Sequence, residues 1–260
     1  MTQLERLDFL INALLDEYPK SYHIDVPNLY LEKKRLLRSL MNVRPPYPIS
    51  DAFLKIQDDY LQEELHHKKL VTIHDMTLIR KHIYLYQGDI TQLQVDAIVN
   101  AANCQMLGCF IPCHGCIDNA IHSFAGIQLR LKCHQIMEER GCHLQTGEAI
   151  ITPAYNLASQ YIIHTVGPII EHSVTMEDCQ LLRQCYQKCL QLSQQYHLQT
   201  VAFCCLSTGE FHFPPRLAAR IAIEEIDKFL KNHQIDIIFN VFKDQDLQIY
   251  QQLLGEEYEQ

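Results

Sequence analysis

The chain has no stretch of apolar residues as long as a membrane span requires, and its first residues do not read as a secretory leader. Its first residues, MTQLERLDFLINALLDEY, carry acids early and apolar residues at helical spacing. A leader would show a basic start, one continuous apolar run and small residues before a cleavage point. Those absences exclude a membrane-spanning class and point to the cytoplasm. An excess of positive charge is missing too: 22 Lys and Arg stand against 31 Asp and Glu, a formal net charge of -9. Contact with many nucleic-acid phosphates needs the opposite balance, so no nucleic-acid partner is expected. Internal repeats and low-complexity tracts are also absent. What is there suits one large folded unit, or one unit with an extension: 260 residues, 47% hydrophobic and 20% charged.

The unusual feature is eleven cysteines. In a reducing compartment they are expected as thiols, and an odd number cannot all pair within one chain. Packing or metal must account for them. Four of them, with two histidines, fall within NAANCQMLGCFIPCHGCIDNAIH, residues 100 to 122.

Periodicity changes near residue 77. Before it, Leu4, Leu7, Ile11 and Leu14 recur at helical spacing, and Leu29, Leu36, Leu37 and Leu40 form a second stripe. After the RPPYP break at residues 44 to 48, Ser50 is placed to cap a third helix through Phe53, Leu54, Tyr60 and Leu61. These stripes read as core faces of a packed helical extension. From 77 onward HIYLY, AIVN, YIIHTV, TVAFCCL and IDIIFNVF are short apolar runs between helical stretches at 117–139, 176–197, 214–231 and 244–256. That alternation predicts an α/β sheet covered on both faces, with ligands beyond the strand ends.

Three of the loops after these strands carry special residues. In GDIT, Gly88 allows close backbone approach and Asp89 can accept from an exocyclic amine such as that of adenine, or simply cap a turn. STGEFHFP, Ser207 to Pro214, can wrap amides and hydroxyls round a phosphate ahead of a helix starting at Pro214 or Pro215, with Phe211 walling off a sugar. The same residues also make ordinary turns. Asn100 and Asn103 offer amides to ribose hydroxyls, and the first amides of a helix at Ile117 and Asp118 can face an anion. Together these groups suit a nucleotide diphosphate sugar.

With GDIT, VDAIVNAAN, IDNAIH, GEAIITPAYNL, YIIHTVGP and STGEFHFP in that order, the chain from residue 77 to its end resembles a macrodomain, the module that binds ADP-ribose. The resemblance implies a three-layer α/β/α sandwich with a mixed sheet over 77–260, with residues 1–76 as an N-terminal helical extension. It places Asp89 and Ile90 at the adenine and Asn103 at the distal ribose. Ile117 and Asp118 come near the phosphates with Cys116 beside them, and Ser207, Thr208, Gly209, Glu210 and Phe211 surround the pyrophosphate and distal ribose. One departure stands out. Ordinary hydrolase-type macrodomains carry a glycine-rich loop before the helix, whereas this chain has MLGCFIPCHGC, residues 106 to 116. That loop, with the RPPYP-bearing extension, is similar to the zinc-dependent subgroup of microbial protein-ADP-ribose hydrolases. Members of the subgroup are associated with a sirtuin-class ADP-ribosyltransferase and with a lipoyl-carrier protein as its target. The implied activity is hydrolysis at C1″ of the distal ribose, releasing mono-ADP-ribose from a protein side chain.

Candidate zinc donors are Cys104, Cys109, Cys113, His114, Cys116 and His122. By spacing alone Cys113 and Cys116 make an equally good C-x2-C pair. The subgroup pattern selects Cys109, His114 and Cys116, and with Asn103 they form the implied catalytic group. Three protein ligands leave a coordination position open, as a catalytic zinc needs, whereas a fourth from Cys113 would close the site. Two thiolates and an imidazole bring the site's formal charge near zero, so the metal either activates water or orients a ribose hydroxyl. The competing reading is a non-catalytic ADP-ribose reader with a structural zinc. Elsewhere, His122 is read as lying on a helix face and His164 as a satisfied core residue. Cys185, Cys189, Cys204 and Cys205 are read as small hydrophobes, and Phe242 as core in preference to a ring that stacks on adenine.

Overall fold

The computed structural model describes residues 1–19, 21 and 24–256. Three helices come first: α1 (Gln3–Leu15), α2 (Tyr30–Val43) and α3 (Asp51–His66). Thr2 and Glu5 close a capping box on α1, and the Ser50 hydroxyl accepts the Phe53 amide at 3.2 Å to start α3. Leu7, Leu10, Ile11, Leu14, Leu37, Leu40, Met41, Phe53, Tyr60 and Leu61 form one apolar cluster, joined from outside by Ile127. Leu4 and Leu29 are exposed instead, because Leu4 falls on the outer face of α1 and Leu29 is the residue before α2. The RPPYP segment is pinned by its own arginine, which is buried. The Arg44 guanidinium forks onto Glu17 at 2.7 and 2.8 Å and donates to the Tyr47 carbonyl at 2.7 Å.

The sheet comprises β1 (Thr77–Arg80), β2 (Ile83–Gln87), β3 (Ala97–Ala101), β4 (Ala149–Pro153), β5 (Tyr161–Thr165), β6 (Thr200–Phe203) and β7 (Asp236–Val241). Their order is β1-β2-β7-β6-β3-β5-β4, parallel from β2 through β5 and antiparallel at both edges. The five apolar runs of the sequence are the five parallel strands. The edge strands β1 and β4 lie outside those runs, because an edge strand half open to water has no need of a continuous apolar sequence. The run TVAFCCL extends past its strand, which ends at Phe203, so Cys204 and Cys205 begin the following loop.

Helices α4 (Ile117–Ala125) and α5 (Ile127–Arg140) pack on one another, as do α6 (Met176–Gln195), α7 (Pro215–Leu230) and α8 (Asp244–Glu256) in a row. The result is an α/β/α sandwich. A single helix over 117–139 is expected from the sequence, but the chain breaks at Gly126, where φ is 97°. The cause lies on α3. Gln57 inserts its carboxamide there and accepts the Ile127 amide at 3.0 Å, and a Cβ at Gly126 would meet the Gln57 nitrogen at 2.5 Å. Parallel pairing puts the C-terminal ends of β2, β7, β6 and β3 on one side of the sheet, and the candidate loops with them. Among the described residues no helix is long and apolar enough to cross a membrane.

Candidate active site

The loop after β2 is tied to the end of β7: the Gly88 amide donates to the Val241 carbonyl at 3.0 Å, and Asn240 donates to the Gly88 carbonyl at 3.1 Å. Asp89 caps the turn Ile90–Gln92, with one carboxylate oxygen accepting the Thr91 amide at 2.9 Å and hydroxyl at 2.7 Å. Ile90 is buried beneath it. One residue past β7, Phe242 is 74% exposed, against its reading as core. The strand ends at Val241, so the apolar run overshoots the sheet by one side chain.

The loop between β3 and α4 holds most of the chemistry. Cys109, His114 and Cys116 bring one ligand atom each within 4.8 Å of one another. His114 turns Nδ1 towards the Cys109 sulfur at 3.6 Å and Nε2 towards the Glu210 carboxylate at 3.8 Å, which links this loop to the one after β6. Cys116 caps α4, its sulfur accepting the Asn119 amide at 3.4 Å. Burial, with the neighbouring Cys109, pushes the Cys116 thiol up to about 12. Two sulfurs and an imidazole at this separation fit a soft divalent cation such as zinc, which would supply the positive charge needed to ionise such a thiol.

The other candidate donors lie elsewhere. Cys113 faces α2, its sulfur 3.2 Å from the Ser39 hydroxyl and 3.4 Å from the Arg35 carbonyl. Cys104 is exposed, 3.9 Å from His143 Nδ1. His122 lies on the inner face of α4, fully buried, grouped with Cys133 and His164, and among the described residues neither of its ring nitrogens has a hydrogen-bond partner. Gly108 packs against its ring, where a Cβ would come within 2.7 Å.

Asn103 folds the loop on itself, donating to the Gly108 carbonyl at 3.0 Å and accepting the Gln105 amide at 3.1 Å. Asn100 is wholly buried and does not reach a ligand surface; it donates to Asp118 at 2.8 Å. Asp118 is turned inward with it. Burial raises that carboxyl to about 6, so what Asp118 presents at the helix start is its backbone amide. Ile117, at the same end of α4, is half-buried.

After β6, Ser207 sits at φ 63°, buried, with its hydroxyl facing the Cα of Gly167. Thr208 donates to the Cys205 carbonyl at 3.0 Å, the His212 amide to the Gly209 carbonyl at 3.1 Å and the Phe213 amide to the Ser207 carbonyl at 2.9 Å. Phe211 accepts from the Ile170 amide at 2.9 Å, while Gly209 and Glu210 stay exposed. Pro215 then opens α7 with its amino end towards this loop.

Sequence reasoning missed a set of residues that grip the metal-type loop from outside: Arg38, Asn42, Asn119 and Arg130. Arg38 donates to the His114 carbonyl at 3.1 Å and to Asn119 at 2.7 Å. Arg130 donates to the Leu107 carbonyl at 2.6 Å and lies over the Phe110 ring at 4.3 Å. No spacing marks Arg38, Asn42 and Arg130, whose partners in the loop are 76, 71 and 23 residues away in sequence, and Asn119, 8 residues from Ile111, is an unremarkable member of IDNAIH.

Loops at one end of a mixed α/β/α sheet, two of them preceding helix amino ends, make the kind of cleft in which α/β proteins commonly hold phosphate-bearing ligands. More narrowly, the chain belongs to the Macro domain family, whose model matches residues 99–222. A protein-ADP-ribose hydrolase of Treponema medium is 48% identical over 98% of this chain and 100% of its own length. A "Probable bifunctional ADP-ribose hydrolase/ADP-ribosyltransferase" of Fusarium oxysporum f. sp. cubense is 38% identical over 96% of this chain and 48% of its own length. Among solved structures, the Trypanosoma brucei macrodomain in complex with ADP-ribose superposes with a TM-score of 0.66 at 33% identity, covering 84% of this chain and 95% of that one.

Proposed function

We propose that the protein is a zinc-dependent hydrolase that removes mono-ADP-ribose from a modified protein side chain. The observation that carries this reading is the three-donor set of Cys109, His114 and Cys116, with Cys113 engaged by α2 instead. A fourth ligand from Cys113 would close the site and favour an ADP-ribose reader with a structural metal. Three ligands favour an enzyme. The full-length likeness to a protein-ADP-ribose hydrolase supports the reaction, and the likeness to a macrodomain holding ADP-ribose supports the ligand.

Hydrolysis breaks the bond from C1″ of the distal ribose to the side-chain heteroatom; the oxygen of water takes that position and the leaving group takes a proton. When bound, zinc supplies a Lewis acid at neutral pH. The chain's own residues bind and orient. Asp89 and Ile90 take the adenine, with exposed Phe242 available to stack on it. The amides of Ile117 and Asp118, and the loop from Ser207 to Phe211, take the phosphates. Asn103 faces the distal ribose, and Phe211 shields it from bulk water. Glu210 faces His114 Nε2 and so leaves Nδ1 for the metal side. Fixing both ends of ADP-ribose holds C1″ in one place, which lowers the entropic part of the barrier.

In this reading residues 1–76 are an accessory extension and 77–260 the macrodomain. The substrate is a lipoyl-carrier protein modified by a sirtuin-class transferase. Support for a transferase partner comes from the Fusarium relative, whose name joins both activities. Eleven free thiols support a cytoplasmic setting.

The test compares ADP-ribose release from a mono-ADP-ribosylated lipoyl-carrier protein by zinc-loaded and chelator-stripped protein, with ADP-ribose affinity measured by calorimetry. Stripping is expected to abolish release while binding persists. A loaded protein that binds ADP-ribose and releases none would return the reader to first place. Turnover intact in zinc-free Cys116→Ser or His114→Ala would end the zinc reading.

A further inference from the structure

The loop from Cys104 to Cys116 has little internal means of holding its shape. It contains no regular element, and Met106 and Cys113 sit at φ 58° and 51°. Its last turn is closed by one backbone bond, from the His114 amide to the Ile111 carbonyl at 3.2 Å. The remaining support comes from Asn103, Asn119 and Arg130 of the sandwich and, at Cys113 and His114, from α2 of the N-terminal extension.

Asn42, on α2 and 1% exposed, accepts the Cys113 amide at 2.9 Å and donates to Ser123 on α4 at 2.9 Å. One turn earlier, Arg38 donates at once to the His114 carbonyl and to the Asn119 carboxamide oxygen. The Asn119 nitrogen in turn donates to the Ile111 carbonyl at 2.9 Å, and its backbone amide faces the Cys116 sulfur. Between them, Arg38 and Asn42 fix the backbone of Cys113 and His114 and, through Asn119, reach the segment between Cys109 and Cys116. Arg130 of α5 completes the clamp. It caps the open carbonyls at the end of α2, those of Met41, Asn42 and Arg44 at 2.9, 2.8 and 2.6 Å, while holding Leu107 at the root of the loop.

We infer that α2 is a built-in part of the metal centre, and that Arg38 and Asn42 are positioning residues for His114. This rests on the zinc reading above. Three donors on an unsupported loop would have to be ordered by the metal itself, at the cost of metal affinity. Held by α2, the backbone of His114 is in place before metal arrives. Only a guanidinium spans both acceptors of Arg38, so lysine is a poor substitute.

The test uses the full chain with Arg38→Ala, Arg38→Lys and Asn42→Ala, and Lys33→Ala as control, since Lys33 pairs with Asp8 within the extension. Zinc affinity is read by competition with a chromophoric chelator, ADP-ribose affinity by calorimetry on zinc-free protein, and folding by circular dichroism. About a tenfold or greater loss of zinc affinity is expected for Arg38→Ala and Asn42→Ala, and most of that loss for Arg38→Lys. ADP-ribose affinity and the Lys33→Ala control should stay within about twofold of the parent. In zinc-free protein the Cys113 amide should lose protection from hydrogen exchange in Asn42→Ala, a change that does not depend on metal. Folded Arg38→Ala and Asn42→Ala variants that hold zinc as tightly as the parent would overturn the inference and leave the zinc reading standing. A parent that binds no zinc would overturn the zinc reading itself.

Discussion

His164 meets no solvent, and both ring nitrogens are engaged, with Thr152 at 3.0 Å and Asn100 at 3.2 Å. Burial pulls its pKa from 6.5 down to about 3. In the unfolded chain the same imidazole takes a proton as the pH falls through 6.5, whereas the native protein does not until about 3. Stability is therefore present above pH 6.5 and is lost progressively below it. His122, buried beside it and shifted the same way, adds to the loss. The unfolding free energy from urea titrations should fall between pH 7 and pH 4 by an amount on the order of 3 kcal/mol, and the fall should be shallower in His164→Gln. An equal slope in the variant would remove His164 from the explanation. The burial of His164 was readable from YIIHTV, where a histidine sits in a strand-like apolar run. That of His122 was not, because helical spacing does not say which face meets the sheet. Phe242 misleads in the opposite sense, being apolar in sequence and outside the core in space.

At the scale of elements, the parallel strands were readable because burial on both faces demands apolar residues throughout. Edge strands and the break at Gly126 were not, since each depends on a distant neighbour: β1 and β4 on the strand beside them, Gly126 on Gln57. The ligand loops interlock in the same non-local way. Gly167, after β5, lies so close to Ser207 that a Cβ there would overlap the serine hydroxyl, and Ser207 is buried at a positive φ with little room to yield. Gly167→Ala should therefore displace the loop from Ser207 to Phe211. Thermal melts are expected to show about 1–3 kcal/mol of destabilisation. Calorimetry should show ADP-ribose bound about tenfold more weakly, the equivalent of 1.4 kcal/mol. Unchanged affinity would mean that this loop does not hold the phosphates.

For the molecule as a whole, the sequence suggested a helical extension attached to a sandwich, and the motif order was enough to recognise the family. It could not show how closely the two are joined. Ile127 completes the core of the extension, Asn156 donates to Asp58 at 2.6 Å, and Arg130 spends its guanidinium on the carbonyls of α2. A chain beginning at residue 77 would strip Arg130 of its three α2-end acceptors and open the apolar surface at Ile127 to water. Its melting temperature should fall by about 10 °C or more, with aggregation, as followed by calorimetric scanning. A soluble truncation melting with the parent would contradict this account of the junction.

The clamp of α2 on the metal-type loop also sets an order of events during synthesis. Arg38 and Asn42 leave the ribosome well before Cys109, His114 and Cys116, so the backing helix can already be folded when the sulfurs appear. The backbone of Cys113 and His114 then arrives on a surface prepared to receive it while the rest of the sheet is still being made.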